Sequence, residues 1–294
     1  MTYQSTLKRY PTWFLLPALL VFGALFVTPT ILSFFFSFTD WNVNRSVVSF
    51  IGLDNFKELF ADAKLRATIS NTLIYSFSVT FLRNLLGLLL ALMLNLSLRG
   101  KNILRTLFFL PYVIAPIVIG YLFKAVYQSQ HGLLNNLLRS LGLAFIAKDW
   151  LNDPNIALFS AIMVDVWRTT GFTMVIYLAG LQLIPKELYE SAQIDGANGL
   201  WRFLHVTFPL LAASVTVNVV LSLIGTMKVF VMIMVLTNGG PGFATEVLNT
   251  YINNYAFAFG LYGYGTAANM ILSVLILILG VPVLVFLRRR EVEL

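Results

Sequence analysis

Charged side chains lie inside strongly apolar stretches of this sequence, where charges are costly. Asp165 and Arg168 are three residues apart, so a helix would place them on one face, where they can pair. Arg83 and Lys228 lie in two further apolar stretches. In hydrocarbon such a charge costs at least about 2.5–3.5 kcal/mol, so these residues are candidates for function.

Two interpretations of these charges stay open. They form either an internal ion-pair network that stabilises helix packing, or a water-filled cavity that holds a hydroxyl-rich solute. Trp167 beside Arg168 modestly favours the cavity, because aromatic faces pack on sugar rings while charges bind hydroxyl groups. The candidates for a solute path are Arg83, Asp165, Trp167, Arg168 and Lys228.

Other chemistry is excluded by residue type. The chain has no cysteine, and its two histidines, His131 and His205, lack metal-ligand spacing, so thiol catalysis and a zinc site are not expected. There is no G-x-x-x-x-G-K-[ST] phosphate loop, so any ATP must be bound by another chain. The net charge is +7, but most lysine and arginine residues flank apolar runs and are not interleaved with aromatic residues. This distribution argues against nucleic-acid binding.

The elements that must position these residues follow from composition. Charged residues make up 11% of the 294 and hydrophobic residues 58%. A soluble domain has roughly 25% charged residues, so this chain needs an apolar solvent around its surface. The mean hydropathy of +0.81 agrees with a bilayer as that solvent.

Six apolar segments are long enough to cross a hydrocarbon core of about 30 Å. The sequence therefore predicts an all-α polytopic membrane protein with six transmembrane helices in a single domain over 13–287. Residues 1–12 and the basic tail 288–294 flank it. The first segment is too long for the roughly 7–15-residue core of a signal peptide, so we expect it to remain as an anchor. The segments are Trp13–Phe38, Thr72–Leu96, Thr106–Tyr127, Ile156–Leu181, Thr207–Leu236 and Thr266–Leu287.

Lysine and arginine predict the orientation. Of the 20, ten lie on the side that holds both termini, six lie on the opposite side, and four lie within the segments. By the positive-inside rule both termini are cytoplasmic, as are the loops near 97–105 and 182–206. The loops near 39–71, 128–155 and 237–265 then face outward.

Proline and glycine predict breaks inside several spans. Where neighbouring helices or a cavity satisfy the freed carbonyl groups, such breaks are tolerated in a membrane. They serve either as kinked packing sites or as gating hinges. The residues are Pro111, Pro116, Gly225 and Pro282.

The inward loop between the fourth and fifth spans has the pattern of a helix, a break and a second helix. Pro185 suits a helix start, and the stretch from Lys186 to Asp195 contains no helix breaker. Gly196 can end this helix in a left-handed conformation. A second apolar stripe follows at 200–204, and Pro209 begins the next span.

This loop resembles the EAA loop of binding-protein-dependent ABC importer permeases. Glu190, Ala192, Gly196 and Pro209 match at the right separations, and the triplet from Asp195 to Ala197 matches the sugar-transporting branch. The departures are mild in size: Ser191, Val206 and Phe208 replace Ala, Ile and Leu.

Further motifs in the same order extend the resemblance to carbohydrate-uptake permeases over roughly residues 13–287. The most specific is the loop Thr237-Asn-Gly-Gly-Pro241 with Thr245. The others are Gly52-Leu-Asp-Asn-Phe56, Asn71-Thr72, Gly132 with Asn135, Leu178-Ala-Gly-Leu-Gln182, Tyr251-Ile252 and Ala256-Phe257.

The resemblance implies an ABC importer permease fold with a cytoplasmic coupling loop at 182–209. In the family, the EAA helix docks in a cleft of an ATPase subunit. The residues that this implies for ATPase coupling are Glu190, Ser191, Ala192, Asp195, Gly196, Ala197, Phe203 and Pro209.

It also implies a transport subunit and not an enzyme, in the inner membrane of a bacterium or archaeon. Its expected partners are a second homologous permease, two ABC ATPase subunits, an extracytoplasmic solute-binding protein and membrane lipid. This chain binds no cofactor; ATP and Mg²⁺ are expected on the partner ATPase.

Two other functions are alternatives to an ABC importer permease. An ion-coupled secondary transporter would explain Asp165, Arg168 and Lys228 but leaves the EAA-like loop without a role. A membrane-embedded enzyme would need a convergent catalytic set, which the sequence does not contain.

Overall fold

The computed structural model describes residues 12–96 and 99–291 of the chain. Within them the structure is helical, and extended residues pair only in an isolated bridge between Thr39 and Phe50. The predicted all-α class is therefore confirmed. Residues 1–11 of the predicted N-terminal flank and the last three residues of the basic tail, 292–294, lie outside the described residues.

The described helices are named in chain order. They are α1 (Trp13–Phe36), α2 (Asp54–Ala61), α3 (Ala63–Asn95), α4 (Lys101–Val113), α5 (Pro116–Val126), α6 (Leu133–Ser140), α7 (Ala157–Leu183), α8 (Lys186–Ile194), α9 (Gly199–Leu210), α10 (Ala212–Met227), α11 (Val231–Leu236), α12 (Leu248–Asn253) and α13 (Tyr262–Arg288).

Among the described residues, three helices are long and apolar enough to cross a membrane unbroken: α1, α3 and α13. Two bent pairs, α4 with α5 and α9 with α10, would add two more crossings. Helix α7 has 27 residues, about 40 Å, but Asp165, Arg168 and its threonines lower its hydropathy. The count of six spans stays a prediction.

The predicted third span is broken between α4 and α5, whose axes differ by 96°. Ile114 and Ala115 are extended, with ψ of 135° at both. The ring of Pro116 disfavours the helical conformation of the residue before it, so the helix stops there and a new one begins. Pro111 lies inside α4 without ending it.

The predicted fifth span is broken twice, before α10 and again between α10 and α11. The axes of α9 and α10 differ by 67°, and the bend follows a π-helical stretch at Phe203–Thr207 and Pro209. Both are recognised causes of sharp helix kinks. Gly225 lies inside α10 close to its end at Met227, and the chain leaves the helix only after that, before α11 begins at Val231. Pro282 lies inside α13, which runs on to Arg288.

The chain forms two compact units. The first comprises the chain up to Ala61 together with Ile252–Ile271, and the second comprises Asp62–Tyr251 and the chain from Leu272 on. The single domain over 13–287 stays a prediction.

In the first unit, Asn55 of the Gly52–Phe56 motif secures the end of α1. Its amide donates hydrogen bonds of 2.9 Å to the carbonyl oxygens of Ser37 and Thr39. The residue after Thr39 is Asp40, whose carboxylate accepts hydrogen bonds from the backbone N–H of Ser49 and from the Arg45 guanidinium. These contacts hold the pKa of the Asp40 carboxyl below its ordinary value. Asn55 thus satisfies carbonyl groups that the end of α1 leaves free.

In the second unit, α7 packs against α3 and α4. A Cβ atom at Gly171 would lie 1.9 Å from the carbonyl oxygen of Phe108 in α4, so only glycine allows this approach. Small residues have the same role at helix contacts in membranes. This close approach brings α4 beside the charged residues of α7.

Candidate functional site

Asp165 lies at the centre of a buried polar cluster in the second unit. Its Oδ1 accepts hydrogen bonds from Nε and Nη2 of Arg168, at 3.2 and 2.9 Å. Its Oδ2 accepts a hydrogen bond of 2.9 Å from the hydroxyl group of Tyr75 in α3. The three-residue spacing therefore does form an ion pair on one face of α7, and both carboxylate oxygens are engaged.

Arg83 lies in α3 and is only 7% exposed. Its Nε has no hydrogen-bond partner among the described residues. An unsatisfied buried donor costs about 1–3 kcal/mol, and more when it is charged. The structure thus holds a second guanidinium beside the Arg168–Asp165 pair, and no described residue is a counter-ion to it alone.

These three charged side chains line one cavity of about 490 Å³. The remaining lining residues are Tyr112, Thr169, Phe172, Leu221, Gly225 and Thr226. The rings of Tyr112 and Phe172 are stacked, with centroids 4.5 Å apart and an angle of 19° between their planes. The cavity therefore combines charged groups, hydroxyl groups and aromatic faces, which suits a polar ring-shaped solute.

Sequence reasoning missed the two aromatic residues. Phe172 follows Arg168 by four residues, so helical periodicity could have found it. Tyr112 carries no such signal, because it joins the cavity only through the close packing of α4 on α7.

Trp167 and Lys228 are not in this cavity. Trp167 lines a separate apolar cavity of about 570 Å³ that includes Leu86, Phe108 and Met163, because consecutive helical residues point about 100° apart. Lys228 is exposed, follows the last residue of α10 as its C-terminal cap, and lines neither cavity. Of the five solute-path candidates, the structure brings together Arg83, Asp165 and Arg168.

Towards the end of α7, side-chain hydrogen bonds join three helices. The hydroxyl group of Tyr177 donates to Asn84 Oδ1 at 2.8 Å, and Asn84 Nδ2 donates to Ser222 Oγ at 3.1 Å. These residues lie on α7, α3 and α10. Polar side chains commonly join helices in this way inside membranes.

Two of the sequence motifs meet in the structure although they are about 170 residues apart in the chain. Asn71 donates hydrogen bonds to the carbonyl oxygens of Phe243 and Glu246, at 3.1 and 3.0 Å. Thr72 accepts a 2.9 Å hydrogen bond from the backbone N–H of Leu248. The start of α3 therefore holds the loop that follows Thr237-Asn-Gly-Gly-Pro241.

The predicted break in the inward loop has a specific backbone geometry. Gly196 has φ of +78° and follows α8. The backbone N–H of Gly196 donates to the carbonyl of Gln193, and that of Ala197 to the carbonyl of Ala192, at 3.1 and 2.9 Å. This is a Schellman motif, in which a glycine with positive φ ends the helix.

The second helix of the loop has its own cap. The side chain of Asn198 accepts a 2.9 Å hydrogen bond from the backbone N–H of Trp201. An asparagine at this position stabilises a helix start. The change of direction from Asp195 to Asn198 is thus held by hydrogen bonds at both sides of the break.

The coupling-loop candidates differ in exposure. Glu190, Ser191, Asp195 and Gly196 are exposed, whereas Ala192 is buried and Ala197 half-buried. Several large apolar side chains of the loop are also exposed, which leaves a surface that a partner could cover. They are Leu188, Ile194, Leu200, Trp201 and Leu204.

The last two candidates mark the bend into α10. Phe203 begins the π-helical stretch and Pro209 lies in the short helical turn before Leu211. The hydroxyl groups of Tyr189 in α8 and Thr207 are 3.2 Å apart, so the two arms of the loop touch. The loop is therefore a bent unit closed by its own contacts.

Comparison with known proteins places this geometry in a family context. The sequence profile of the family described as "Binding-protein-dependent transport system inner membrane component" matches residues 83–291. The Multiple sugar-binding transport system permease protein MsmF of Streptococcus mutans serotype c is 33% identical over 282 residues. That match covers 96% of each chain.

Two crystal structures resemble the whole chain. One is of a bacterial ABC transporter involved in the import of the acidic polysaccharide alginate; it has a TM-score of 0.83 and 27% identity, and the match covers 97% of this chain and 98% of that one. The other is of a bacterial alginate ABC transporter in complex with alginate pentasaccharide-bound periplasmic protein. Its TM-score is 0.78 and its identity 26%, over 97% of this chain and 95% of that one.

Proposed function

Since the chain belongs to the family of binding-protein-dependent transport system inner membrane components, the permease subunits of ABC importers, we propose that it moves a sugar or sugar-like solute across the inner membrane. ATP hydrolysis on a separate subunit drives the transport. A binding protein delivers the solute from outside.

The choice of a sugar rests on two kinds of support. The relative MsmF is named for the transport of multiple sugars, and the similar crystal structures are of alginate importers. In this chain, the cavity with Asp165 offers charges and hydroxyl groups beside the stacked rings of Tyr112 and Phe172. Aromatic faces and hydrogen-bonding groups together suit the two kinds of surface of a sugar ring.

One observation carries the mechanism: a single helix, α7, connects the cavity to the coupling loop, because the cavity residues lie near its middle and the loop follows its end. Arg168 lines the cavity on α7, and α7 continues to Leu183, roughly 22 Å further along its axis. After Ile184 and Pro185, α8 begins. A displacement of α8 by the ATPase would therefore move α7, and with it the walls of the cavity.

The proposed partners complete the pathway. A second homologous permease, which we expect to be a different chain, supplies the other half, and two ABC ATPase subunits bind ATP and Mg²⁺. The exposed apolar face of the coupling loop and Glu190 would contact one ATPase. The similar structure in complex with a periplasmic protein supports the solute-binding protein as a partner.

The proposed orientation places both termini and the coupling loop in the cytoplasm. Single cysteines can test it, since the chain has none. Ser140→Cys and Ser191→Cys both lie at exposed positions, so an impermeant thiol reagent should reach either if it is outside. In intact cells we expect labelling of Ser140→Cys alone; labelling of Ser191→Cys alone would reverse the orientation.

Co-purification tests the proposed function. An affinity-tagged chain, extracted in mild detergent, should carry an ABC ATPase with it, and vanadate should stop solute uptake in vesicles. An ion-coupled transporter would instead purify without an ATPase. Its uptake would resist vanadate and collapse with an ionophore.

A further inference from the structure

We propose that the cavity binds an anionic sugar, with Arg83 as the residue that pairs with its acidic group. The inference deepens the proposed function and rests on it, because it names the class of sugar that the same cavity accepts. It follows from the charges of the cavity, from the state of Arg83 and from the shape of the walls.

The cavity carries more positive than negative charge. Among the described residues that line it, Arg83 and Arg168 are positive and Asp165 is negative. Both carboxylate oxygens of Asp165 already have partners, since Arg168 donates to one and Tyr75 to the other. One positive charge is therefore left without a balancing group from these walls.

That charge belongs to Arg83. The side chain is largely withdrawn from water, lines the cavity, and has an Nε without a hydrogen-bond acceptor. A buried charge of this kind needs a partner. A guanidinium presents a planar fork that matches a carboxylate or phosphate group with two parallel hydrogen bonds.

The rest of the wall fits a sugar better than a small inorganic ion. The cavity of about 490 Å³ is much larger than one anion needs, and the stacked rings of Tyr112 and Phe172 offer an apolar face to C–H groups. The hydroxyl group of Thr169 already donates to the carbonyl of Asp165, so its oxygen is free to accept from a sugar hydroxyl. A uronate and a sugar phosphate share this chemistry.

Ligand-dependent melting of the purified transporter complex in lipid nanodiscs tests the inference. The melting midpoint is followed against the concentration of D-glucose, D-glucuronate, D-glucose 6-phosphate and inorganic phosphate at constant ionic strength, which yields apparent dissociation constants. We expect at least one acidic sugar to bind about tenfold tighter than glucose and than phosphate alone. The acidic sugar that binds better identifies the group as carboxylate or phosphate.

Variants assign the preference to Arg83. Arg83→Gln should reduce the binding of the acidic sugars to the level of glucose. Lys124→Gln removes the same charge from an exposed position outside the cavity and should leave the preference unchanged. If Arg83→Gln fails to assemble, Arg83→Lys keeps the charge but loses the fork, and should weaken glucuronate more than glucose 6-phosphate.

Three results would overturn the inference. They are equal binding of glucose and the acidic sugars, no binding of any acidic sugar, and a preference that survives Arg83→Gln. If inorganic phosphate bound as tightly as glucose 6-phosphate, the cavity would recognise the anion alone and not an anionic sugar. If a carboxylate of the second permease neutralises Arg83, no acidic sugar should bind better than glucose. ATPase co-purification from the same preparation shows separately whether the proposed function holds.

Discussion

The coupling loop follows the end of α7, the polar cavity lies near the middle of the same helix, and the two are built in opposite ways. In the loop, the contacts that hold the break at Gly196 join residues within six positions of one another, and most side chains are exposed. In the cavity, Arg83, Tyr112 and Asp165 come from three helices, and all but Tyr112 are buried. The loop therefore depends on local backbone conformation, and the cavity on tertiary packing.

The largest expected effect comes from a change in the coupling loop, which depends on local backbone conformation. Gly196→Val should abolish uptake while the chain still inserts, because φ of +78° strains any residue with a Cβ atom by about 1–2 kcal/mol. Nothing lies within 4 Å of the added Cβ, so crowding has no part in the effect. Uptake by membrane vesicles and stimulation of ATP hydrolysis by the binding protein are the measurements.

Gly199→Val is the matched control for this variant. Gly199 lies in the same loop and also has open space around its Cβ position, but it begins α9 in an ordinary helical conformation. It should retain most of the uptake. Equal loss in both variants would show that bulk, and not backbone conformation, is what the loop cannot tolerate.

The next largest effect comes from changes at the cavity, which depends on tertiary packing. Asp165→Asn removes the charge that pairs with Arg168, and breaking a buried ion pair costs about 3–5 kcal/mol. Tyr75→Phe removes only one hydrogen bond to the same carboxylate, a cost of about 1 kcal/mol. The yield and melting midpoint of the assembled complex should fall in that order; equal values for the two variants would contradict the proposed geometry.

A smaller effect sharpens the role of the loop surface. Glu190→Lys should weaken docking of the ATPase, because it reverses an exposed charge on the face that we assign to the partner. Glu187→Lys reverses an exposed charge earlier in the same helix and serves as the control. The salt concentration that releases the ATPase from washed membranes should fall for Glu190→Lys alone.

The smallest effect concerns a candidate that the fold separates from the cavity. Lys228→Met should leave uptake near the wild-type level, because Lys228 is exposed and lines neither cavity. Arg168→Met should reduce uptake strongly in the same assay, since Arg168 lines the cavity and pairs with Asp165. Loss of uptake with Lys228→Met would return this residue to the solute path, at a surface that another subunit completes.

The accuracy of the sequence-based predictions follows the range of the interactions concerned. The glycine break and its helices were predicted correctly, because capping depends on residues that are close in sequence. The fifth span breaks close to Gly225 and not at it, since α10 runs through this glycine to Met227; Pro116 and the stretch before Pro209 also bend the chain. The placement of Trp167 beside the charges failed because neighbouring helical residues face different sides.

Composition and spacing were enough to predict the membrane class, the pairing of Asp165 with Arg168, and the conformation at Gly196. Each of these depends on composition or on contacts within one helical turn or one cap. Helix packing, by contrast, leaves Arg83 without its own counter-ion among the described residues and brings Tyr112 beside Phe172 in one wall. Both depend on how closely α3 and α4 approach α7, which is set by packing at small residues such as Gly171 and not by any local pattern.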